Sequence, residues 1–350
     1  SGEATNISLT SNVTGTSFNW TVSAPFISGA TNGSGTSITQ TLTSSSTSNA
    51  TATYSIIPTA NSCPGAAVVA TVTVKPKPDA VANPASPTIC SGLSPNISLT
   101  SGVSGTTFSW TVSQTGVTGA SPGTGSLINQ SLTASGTTAG TATYTITPTA
   151  ASCIGNTINV VVTVNPLPVV TATPSSQTFC SGGTTSIALS SNVSGTTYSW
   201  SVVQSGVTGA TSGSGATIAQ ALTNSGATSG TVTYTITPVA GGCSGLPIDV
   251  VVTVKPIPSA MASPSPTTIC SGTATNISLS SAVSGTTFTW TATPSSGNVS
   301  GHAAGSGTSI AQTLTNSSTN VENILYQVTP SAASCIGTPI DVTEIGRAHV

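Results

Sequence analysis

Residues 107–112 have the sequence Thr-Phe-Ser-Trp-Thr-Val, and residues 141–147 have the sequence Thr-Ala-Thr-Tyr-Thr-Ile-Thr. In both stretches every second side chain is apolar, and the residues between are Ser or Thr. A period of two places successive side chains on opposite faces of a β-strand. Each stretch therefore predicts a strand with one buried face and one wet face, and Thr suits the wet face because it favours strands and needs no charge.

The strand that carries the tryptophan recurs along the chain. Trp20, Trp110, Trp200 and Trp290 are 90 residues apart. The cysteines keep the same step in two series, which are Cys90, Cys180 and Cys270, and Cys63, Cys153 and Cys243. The last member, Cys335, comes 92 residues after Cys243, because the loop between Trp290 and Gly307 is two residues longer. A 90-residue unit is larger than a solenoid repeat and matches a small domain with its own core.

Proline-rich segments separate the units. Residues 75–78, 165–168 and 255–258 each have the pattern x-Pro-x-Pro at the same phase of the repeat. Alternating prolines favour extended backbone, which makes short connectors. We therefore expect four domains, at residues 1–77, 78–167, 168–257 and 258–343, the first without its N-terminal strand and the fourth without its last.

Each unit contains about seven short strands punctuated by Gly and Ser, with a Trp on a middle strand and a Cys on either side. No segment has the period of an amphipathic helix. This pattern is typical of the immunoglobulin-like β-sandwich. The predicted fold class is all-β, with four tandem sandwiches and with Trp20, Trp110, Trp200 and Trp290 in the cores.

The composition excludes several classes of function. Of 350 residues, only 4 are Lys or Arg and 6 are Asp or Glu, so phosphate neutralisation and paired-carboxylate hydrolysis both lack the necessary groups. The acids are scattered, and no CxxC or His pair has zinc-ligand spacing. No apolar run approaches the roughly eighteen residues of a membrane span. We expect no catalytic residue, cofactor, metal, nucleic-acid partner or membrane insertion.

Two recurring motifs admit a functional and a structural interpretation. The Gly-x-Gly motif, as at residues 123–125, resembles a phosphate-binding loop, but a predicted strand follows it instead of a helix, which favours a turn. Nearby lie Gln40, Gln130, Gln220 and Gln312. These could contact a ligand, although an amide that binds neighbouring backbone is favoured.

The cysteines allow two disulfide schemes. The preferred scheme is intradomain, with the pairs Cys90–Cys153, Cys180–Cys243 and Cys270–Cys335. The alternative crosses the linkers, with the pairs Cys63–Cys90, Cys153–Cys180 and Cys243–Cys270. Spacing alone does not decide between them. In the preferred scheme Cys63 is unpaired, because its expected partner falls just before Ser1. Regularly paired cysteines indicate an oxidising, extracytoplasmic environment.

The last residues depart from the repeat. After Asp341-Val342, where the third unit continues Val-Val-Thr-Val-Lys-Pro, the chain ends Thr-Glu-Ile-Gly-Arg-Ala-His-Val. We expect residues 344–350 to be a non-native tail.

The combined motifs resemble a known family. They are Phe-Ser-Trp-Thr-Val, Gly-Val-Thr-Gly-Ala, Ile-x-Gln-x-Leu-Thr, Thr-Tyr-Thr-Ile-Thr-Pro and Val-Thr-Val-x-Pro-x-Pro. Together they resemble the PKD-like, immunoglobulin-fold tandem repeats of large secreted surface proteins of Bacteroidota-type bacteria, which are often exported by a type IX system. The usual Trp-Asp-Phe-Gly-Asp-Gly signature is replaced by Trp110-Thr111-Val112-Ser113, so the resemblance is to a divergent branch.

The resemblance implies a location at the cell surface and a stalk-like use, and it implies no catalytic residue. We expect a non-catalytic extracellular spacer of an adhesin-like protein, with the neighbouring repeats as its partners. The alternative is that the repeats themselves bind a glycan or a surface protein. Residues 116–120 and 206–210 are identical, which favours spacing over loop-based recognition.

Overall fold

The computed structural model describes residues 1–347, and across them the regular elements are β-strands. Ala348, His349 and Val350, the end of the predicted tail, lie outside the described residues. Four separate hydrophobic clusters form, one in each repeat. The predicted fold class, all-β with four tandem sandwiches, is confirmed.

The chain divides into two compact units, Ser1–Leu167 and Pro168–Val350, and each contains two repeats. The strands of the first repeat are β1 Glu3–Ala4, β2 Ile7–Ser8, β3 Ser17–Ser23, β4 Ile27–Ser28, β5 Gly33–Ser34, β6 Ser37–Ile38, β7 Thr41–Ser44, β8 Ala50–Ala60, β9 Cys63–Pro64 and β10 Val68–Val74. Those of the second are β11 Val81–Asn83, β12 Thr88–Cys90, β13 Ile97–Thr100, β14 Thr107–Thr115, β15 Val117–Thr118, β16 Gly123–Thr124, β17 Leu127–Ile128, β18 Thr133–Ala134, β19 Gly140–Ala150, β20 Cys153–Ile154 and β21 Ile158–Asn165.

The second unit holds the other two repeats. The strands of the third repeat are β22 Val170–Thr173, β23 Ser176–Cys180, β24 Ile187–Ser191, β25 Thr197–Ser205, β26 Gly213–Ser214, β27 Thr217–Ile218, β28 Gly230–Ala240, β29 Cys243–Ser244 and β30 Ile248–Lys255. Those of the fourth are β31 Met261–Ser263, β32 Thr267–Cys270, β33 Thr273–Ala274, β34 Ile277–Ser280, β35 Thr287–Pro294, β36 Val299–Ser300, β37 Gly305–Ser306, β38 Ser309–Ile310, β39 Thr313–Asn316, β40 Glu322–Ala332, β41 Cys335–Ile336 and β42 Ile340–Arg347.

The third repeat shows the architecture most simply. Its larger sheet has the order β23-β30-β28-β25-β26, with β29 folded back on β28 as a hairpin, and its smaller sheet has the order β22-β24-β27. The pairings of β28 with β25 and with β30 are antiparallel, whereas β23 runs parallel to β30. Residues 170–180 therefore contribute β22 to the smaller sheet and β23 to the larger sheet.

Alternation along the long strands builds the core. On β28 every second residue is buried, and Tyr234 and Ile236 are fully enclosed. The four tryptophans are 6–8% exposed and lie in the cores of their repeats. Removing such side chains from water is the main stabilising contribution in a fold of this kind, at about 1.5–3 kcal/mol for each large apolar side chain.

The first repeat differs at one edge. The second and fourth repeats have larger sheets of the same order as the third, ending in β12 and β32 respectively. The last strand of the fourth repeat, which we expected to be cut at residue 343, is present as β42, because residues 344–346 continue the pairing with β40. The sheet of the first repeat has the order β10-β8-β3-β5, so among the described residues no strand covers the outer side of β10.

Candidate functional site

The Gly-x-Gly motif is a turn that lies against the tryptophan. Gly123 is in β16, and β17 follows it directly, so the motif joins two strands. A Cβ atom at Gly123 would lie 2.7 Å from Cζ2 of Trp110, and the same close approach occurs in the other repeats. Glycine is needed here because the backbone packs directly on the indole ring. The arrangement gives the motif a packing role.

The recurring glutamine ties the tyrosine to this turn. Gln130 Oε1 accepts hydrogen bonds from the Tyr144 hydroxyl (3.0 Å) and the Ser121 amide (3.0 Å), while its Nε2 donates to the Ser121 carbonyl (2.9 Å). Trp110 Nε1 donates to the same carbonyl, at 3.2 Å. Equivalent tyrosine-to-glutamine bonds join Tyr54 to Gln40, Tyr234 to Gln220 and Tyr326 to Gln312. Both ends of each amide are engaged in internal hydrogen bonds, which supports the structural interpretation.

Burial affects the ionisation of these tyrosines. It raises the pKa of Tyr54, Tyr144 and Tyr234, because the phenolate loses hydration in the core. The pKa of Tyr326 is raised to about 12, first by burial and second by the nearby charge of Glu344. All four hydroxyls are therefore neutral hydrogen-bond donors at neutral pH.

The exposed carboxylates close local turns. Asp79 accepts hydrogen bonds from Ser101 Oγ (2.6 Å) and the Gly102 amide (2.9 Å), which lower the pKa of its carboxyl. Glu322 accepts a bond from Ser295 Oγ (2.6 Å) across the base of the lengthened loop, and its pKa is also lowered. Within residues 1–347 no group of three His, Cys, Asp or Glu side chains is arranged to hold a metal ion.

In each unit a lysine contact and a cysteine lie where one repeat meets the next. In the unit Ser1–Leu167, Lys75 Nζ donates to the Ala151 carbonyl (3.2 Å), in the turn between β19 and β20, and Lys77 Nζ donates to Asn156 Oδ1 (2.7 Å). A cavity of about 590 Å³ lies at this junction, and Cys153 is among the residues that line it.

The junction in the unit Pro168–Val350 has the same construction with a covalent bond added. Lys255 Nζ donates to the Ala333 carbonyl (3.0 Å), in the turn between β40 and β41. Cys180, the last residue of β23, is disulfide-bonded to Cys335, the first residue of β41. The bond therefore joins one repeat to the next.

Both disulfide schemes from the sequence are wrong. Cys180 pairs with Cys335, neither with Cys243 nor with Cys153. Cys153 and Cys270 are free thiols, which excludes the pairs Cys90–Cys153, Cys270–Cys335 and Cys243–Cys270. Cys63 is free and exposed, so the pair Cys63–Cys90 is also absent. Cys90 and Cys243 are both disulfide-bonded.

The sheet geometry explains why the intradomain pairs do not form. Cys180 lies opposite Lys255, beside the first residue of β28, whereas Cys243 lies opposite Ala240, its last residue. The 11 residues of β28 separate the two cysteines by roughly 30 Å at about 3.3 Å per residue. A disulfide needs Cα atoms within about 7 Å of each other. The two cysteines of one repeat are therefore at opposite ends of the same sheet.

These features define a class of protein: tandem β-sandwiches connected by short linkers, with a lysine contact between the two repeats of each unit and a disulfide between the third and fourth repeats. The PKD-like domain family matches residues 1–78, 87–168, 177–258 and 267–344, and the chain belongs to this family. The comparison with curated proteins found no match. The described residues contain no helix with the length and apolarity that a membrane crossing requires.

Several solved structures of tandem cadherin or titin domains are similar to this chain. Drosophila N-cadherin EC1-4 is 9% identical with a TM-score of 0.31, and the match covers 100% of this chain and 96% of that chain. Titin domains I67-I69 are 12% identical with a TM-score of 0.38, over 78% of this chain and 97% of that one. Human CDH23 EC21-23 is 12% identical with a TM-score of 0.31, over 77% and 99%.

Proposed function

We propose that this chain is a non-catalytic, load-bearing spacer segment of a large adhesin-like protein. The observation that carries the proposal is the Cys180–Cys335 bond, which links two neighbouring repeats in addition to the peptide linker between them. A junction held by two covalent connections keeps adjacent domains together when the chain is pulled. That property serves a spacer under tension and adds nothing to domains that act separately.

The polar side chains support an inert role. The amide of Gln130 and the carboxylates of Asp79 and Glu322 bind neighbouring atoms of their own repeat. With 4 Lys or Arg and 6 Asp or Glu in 350 residues, the surface offers little charge for recognition. Residues 116–120 and 206–210 have the same sequence, as expected for loops that are not diversified for binding.

We further propose an extracellular, cell-surface location. Disulfides persist in oxidising compartments outside the cytoplasm, and a disulfide joins the third and fourth repeats of this chain. Bacterial origin and export by a type IX system rest on the resemblance of the repeat motifs alone.

Single-molecule force spectroscopy on the full chain tests the load-bearing role. Cys180 and Cys335 are 155 residues apart in sequence. Because the intact bond hides the chain between them from the applied force, we expect reduction to lengthen the fully extended molecule by at least about 530 Å, at about 3.4 Å per residue. The matched control is the Cys180→Ser/Cys335→Ser variant, in which this bond cannot form. An unfolded length that is independent of reductant in the wild type would contradict the proposal.

A glycan array with the full chain tests the alternative, that the repeats are adhesion modules. For a spacer we expect no saturable binding, and no salt-sensitive adsorption, since the charged groups are few. Saturable binding to one glycan that is lost when residues 206–215 are replaced by a Gly-Ser segment would overturn the spacer role and establish a binding module.

A further inference from the structure

The linker between the third and fourth repeats is held at both ends by one hairpin of the fourth repeat. The linker runs from Lys255 to Pro258, and the hairpin is residues 333–337, at the turn between β40 and β41. Lys255 Nζ donates a hydrogen bond to the Ala333 carbonyl oxygen (3.0 Å). At the other end of the linker, the backbone of Gly337 lies directly against the Pro258 carbonyl group. We call these two contacts the linker clamp.

The second contact of the linker clamp requires glycine. A Cβ atom at Gly337 would overlap the Pro258 carbonyl oxygen, and it would also lie 2.8 Å from Cγ of Pro330. The equivalent glycines of the second and third repeats approach the last proline of the preceding linker equally closely, in the pairs Gly155–Pro78 and Gly245–Pro168. The glycine two residues after each of these hairpin cysteines therefore allows the hairpin to pack on the linker.

The turn of this hairpin fixes the position of the carbonyl that accepts the lysine bond. Ala332 pairs with Cys335, so only Ala333 and Ser334 form the turn. Their φ angles are 48° and 69°, as in the two-residue turns that commonly join antiparallel strands. A turn of this type has little conformational freedom. The Ala333 carbonyl is therefore held in one place for the Lys255 side chain.

The linker clamp does not depend on a disulfide. In the first unit, Lys75 Nζ donates to the Ala151 carbonyl (3.2 Å), and the backbone of Gly155 lies against the Pro78 carbonyl group. Cys63 is the one cysteine of the first repeat and is a free thiol, so no disulfide joins the first repeat to the second. The same two contacts therefore form at a junction with a disulfide and at a junction without one.

The residues that make the linker clamp in the second unit lie next to the two bonded cysteines. Cys335 lies in the hairpin between Ala333 and Gly337, and it is buried. Cys180 is half-buried and lies opposite Lys255 in the pairing of β23 with β30. The hydrogen bond from Lys255 to Ala333 thus joins a neighbour of Cys180 to a neighbour of Cys335. The contact brings the ends of the two repeats together at the place where the disulfide forms.

We propose that the linker clamp holds Cys335 against Cys180 before the two thiols are oxidised and thereby favours this disulfide. Lys255 and Gly337 are the positioning residues. The inference goes beyond the spacer role and does not rest on it, because it concerns how the two cysteines pair and not what the joined repeats do.

The oxidant is a low-molecular-weight disulfide, such as oxidised glutathione. The thiolate of Cys180, the more exposed of the two cysteines, attacks one sulfur of the glutathione disulfide, whose S–S bond breaks and releases one glutathione thiolate. The Cys335 thiol then loses its proton to solvent, and its thiolate attacks the Cys180 sulfur of the mixed disulfide. The second glutathione leaves with the electron pair of the broken bond. Two protein thiols are oxidised, and one glutathione disulfide is reduced to two thiols.

The test measures the stability of the Cys180–Cys335 bond in the full chain. Reduced, folded protein is equilibrated at several ratios of reduced to oxidised glutathione, quenched with acid and analysed by non-reducing peptide mapping. The bonded fraction gives the effective concentration of one thiol at the other. We expect Gly337→Val to lower this effective concentration by about tenfold or more, because the added side chain forces the hairpin away from the linker. We expect Lys255→Met to lower it by about threefold or more, through the loss of one hydrogen bond.

The matched controls are Gly155→Val and Lys75→Met, which make the same substitutions in the linker clamp of the first unit. Neither variant changes a residue of the third or fourth repeat. We therefore expect both to keep the effective concentration for Cys180 and Cys335 within about twofold of the wild-type value, since distant substitutions act independently.

Urea unfolding followed by tryptophan fluorescence shows which variants keep their repeats folded. If Gly337→Val unfolds the fourth repeat, Lys255→Met decides the question, because it changes no residue of that repeat. A lower effective concentration in the folded variants of the second unit, together with wild-type values in the controls, supports the proposal. A wild-type value in folded Lys255→Met, or an equal loss in the control variants, would overturn it.

Discussion

Strands β30 and β42 have the same place in the third and fourth repeats, but they bring different side chains into the core. The sequence of β30 is Ile-Asp-Val-Val-Val-Thr-Val-Lys, and that of β42 is Ile-Asp-Val-Thr-Glu-Ile-Gly-Arg. Each pairs antiparallel with seven residues of the long strand beside it and parallel with a short strand on its other side. The position of Val252 in β30 is taken by Glu344 in β42, and both residues are fully buried.

This difference shows that backbone pairing and core packing make separate demands on sequence. Any residue except proline supplies the backbone groups that a sheet needs, so β42 keeps its register. The core is more selective. Both carboxylate oxygens of Glu344 are buried without a hydrogen-bond partner among the described residues, and burial raises the pKa of this carboxyl. The mismatch begins at the first residue of the segment 344–350, which we propose to be a non-native tail.

Breaking the Cys180–Cys335 disulfide should change the stabilities of the third and fourth repeats more than any other substitution in them. In the Cys180→Ser/Cys335→Ser variant we expect the third and fourth repeats to unfold separately, the fourth at lower denaturant. In the entropic model a bond closing a loop of 155 residues stabilises the pair by up to about 5 kcal/mol. Urea unfolding followed by tryptophan fluorescence measures the change.

The matched control is Cys153→Ser/Cys270→Ser, which removes two thiols that are already free. We expect its unfolding curve to match that of the wild type. Coincident curves for all three proteins would mean that the disulfide does not couple the repeats.

Replacing Glu344 by Val should have the next largest effect. The substitution restores the side chain present at this position in the third repeat and removes a buried, unpaired carboxyl. We expect the fourth repeat to gain about 3 kcal/mol at neutral pH, the cost of an unsatisfied buried polar group together with the apolar burial gained. Denaturant titration of both proteins gives the difference directly, and an unchanged midpoint would contradict the burial of Glu344.

The pH dependence of stability tests whether the Glu344 carboxyl is buried. The folded-state pKa of Glu344 lies above its unfolded value, so the folded state binds the proton more tightly than the unfolded state does. The stability linked to protonation of this carboxyl is fully present below the pKa of the unfolded state. It is lost as the pH rises through the pKa of the folded state. We therefore expect the gain from Glu344→Val to shrink toward about pH 4. Because neither Gln nor Val titrates, the difference in stability between the Glu344→Gln and Glu344→Val variants should not change with pH.

Much of the fold could be predicted from the sequence. Alternation in stretches such as residues 141–147 gave the strands, because a strand with one buried face must alternate. The 90-residue spacing of the tryptophans gave the number of repeats. The lengthened loop after Trp290 followed from a two-residue change in spacing. These signals are local or periodic, so a single sequence contains them.

The disulfide pairing could not be predicted in the same way. It depends on the parallel pairing of β23 with β30, two strands far apart in the chain, which places Cys180 beside Lys255 at one end of its repeat. The hairpin cysteine lies at the other end, beyond Ala240. The available signal was the length of β28, since 11 residues of strand keep the two cysteines of one repeat apart.

The smallest expected effect is a difference in stability between substitutions of Trp200 in the third repeat and of Trp290 in the fourth. Trp200 Nε1 donates to the Thr211 carbonyl (3.1 Å), but Trp290 Nε1 is buried and has no hydrogen-bond partner among the described residues. The loop that supplies the acceptor in the third repeat is two residues longer in the fourth. Substitution by Phe removes the same volume at both sites, but it breaks a hydrogen bond only at Trp200. We therefore expect Trp200→Phe to destabilise its repeat by about 1 kcal/mol more than Trp290→Phe does, measured by denaturant unfolding of each variant. Equal losses at the two sites would show that the Trp200 hydrogen bond contributes nothing net, and that packing of the indole ring against Gly213 and Gly305 accounts for the role of both tryptophans.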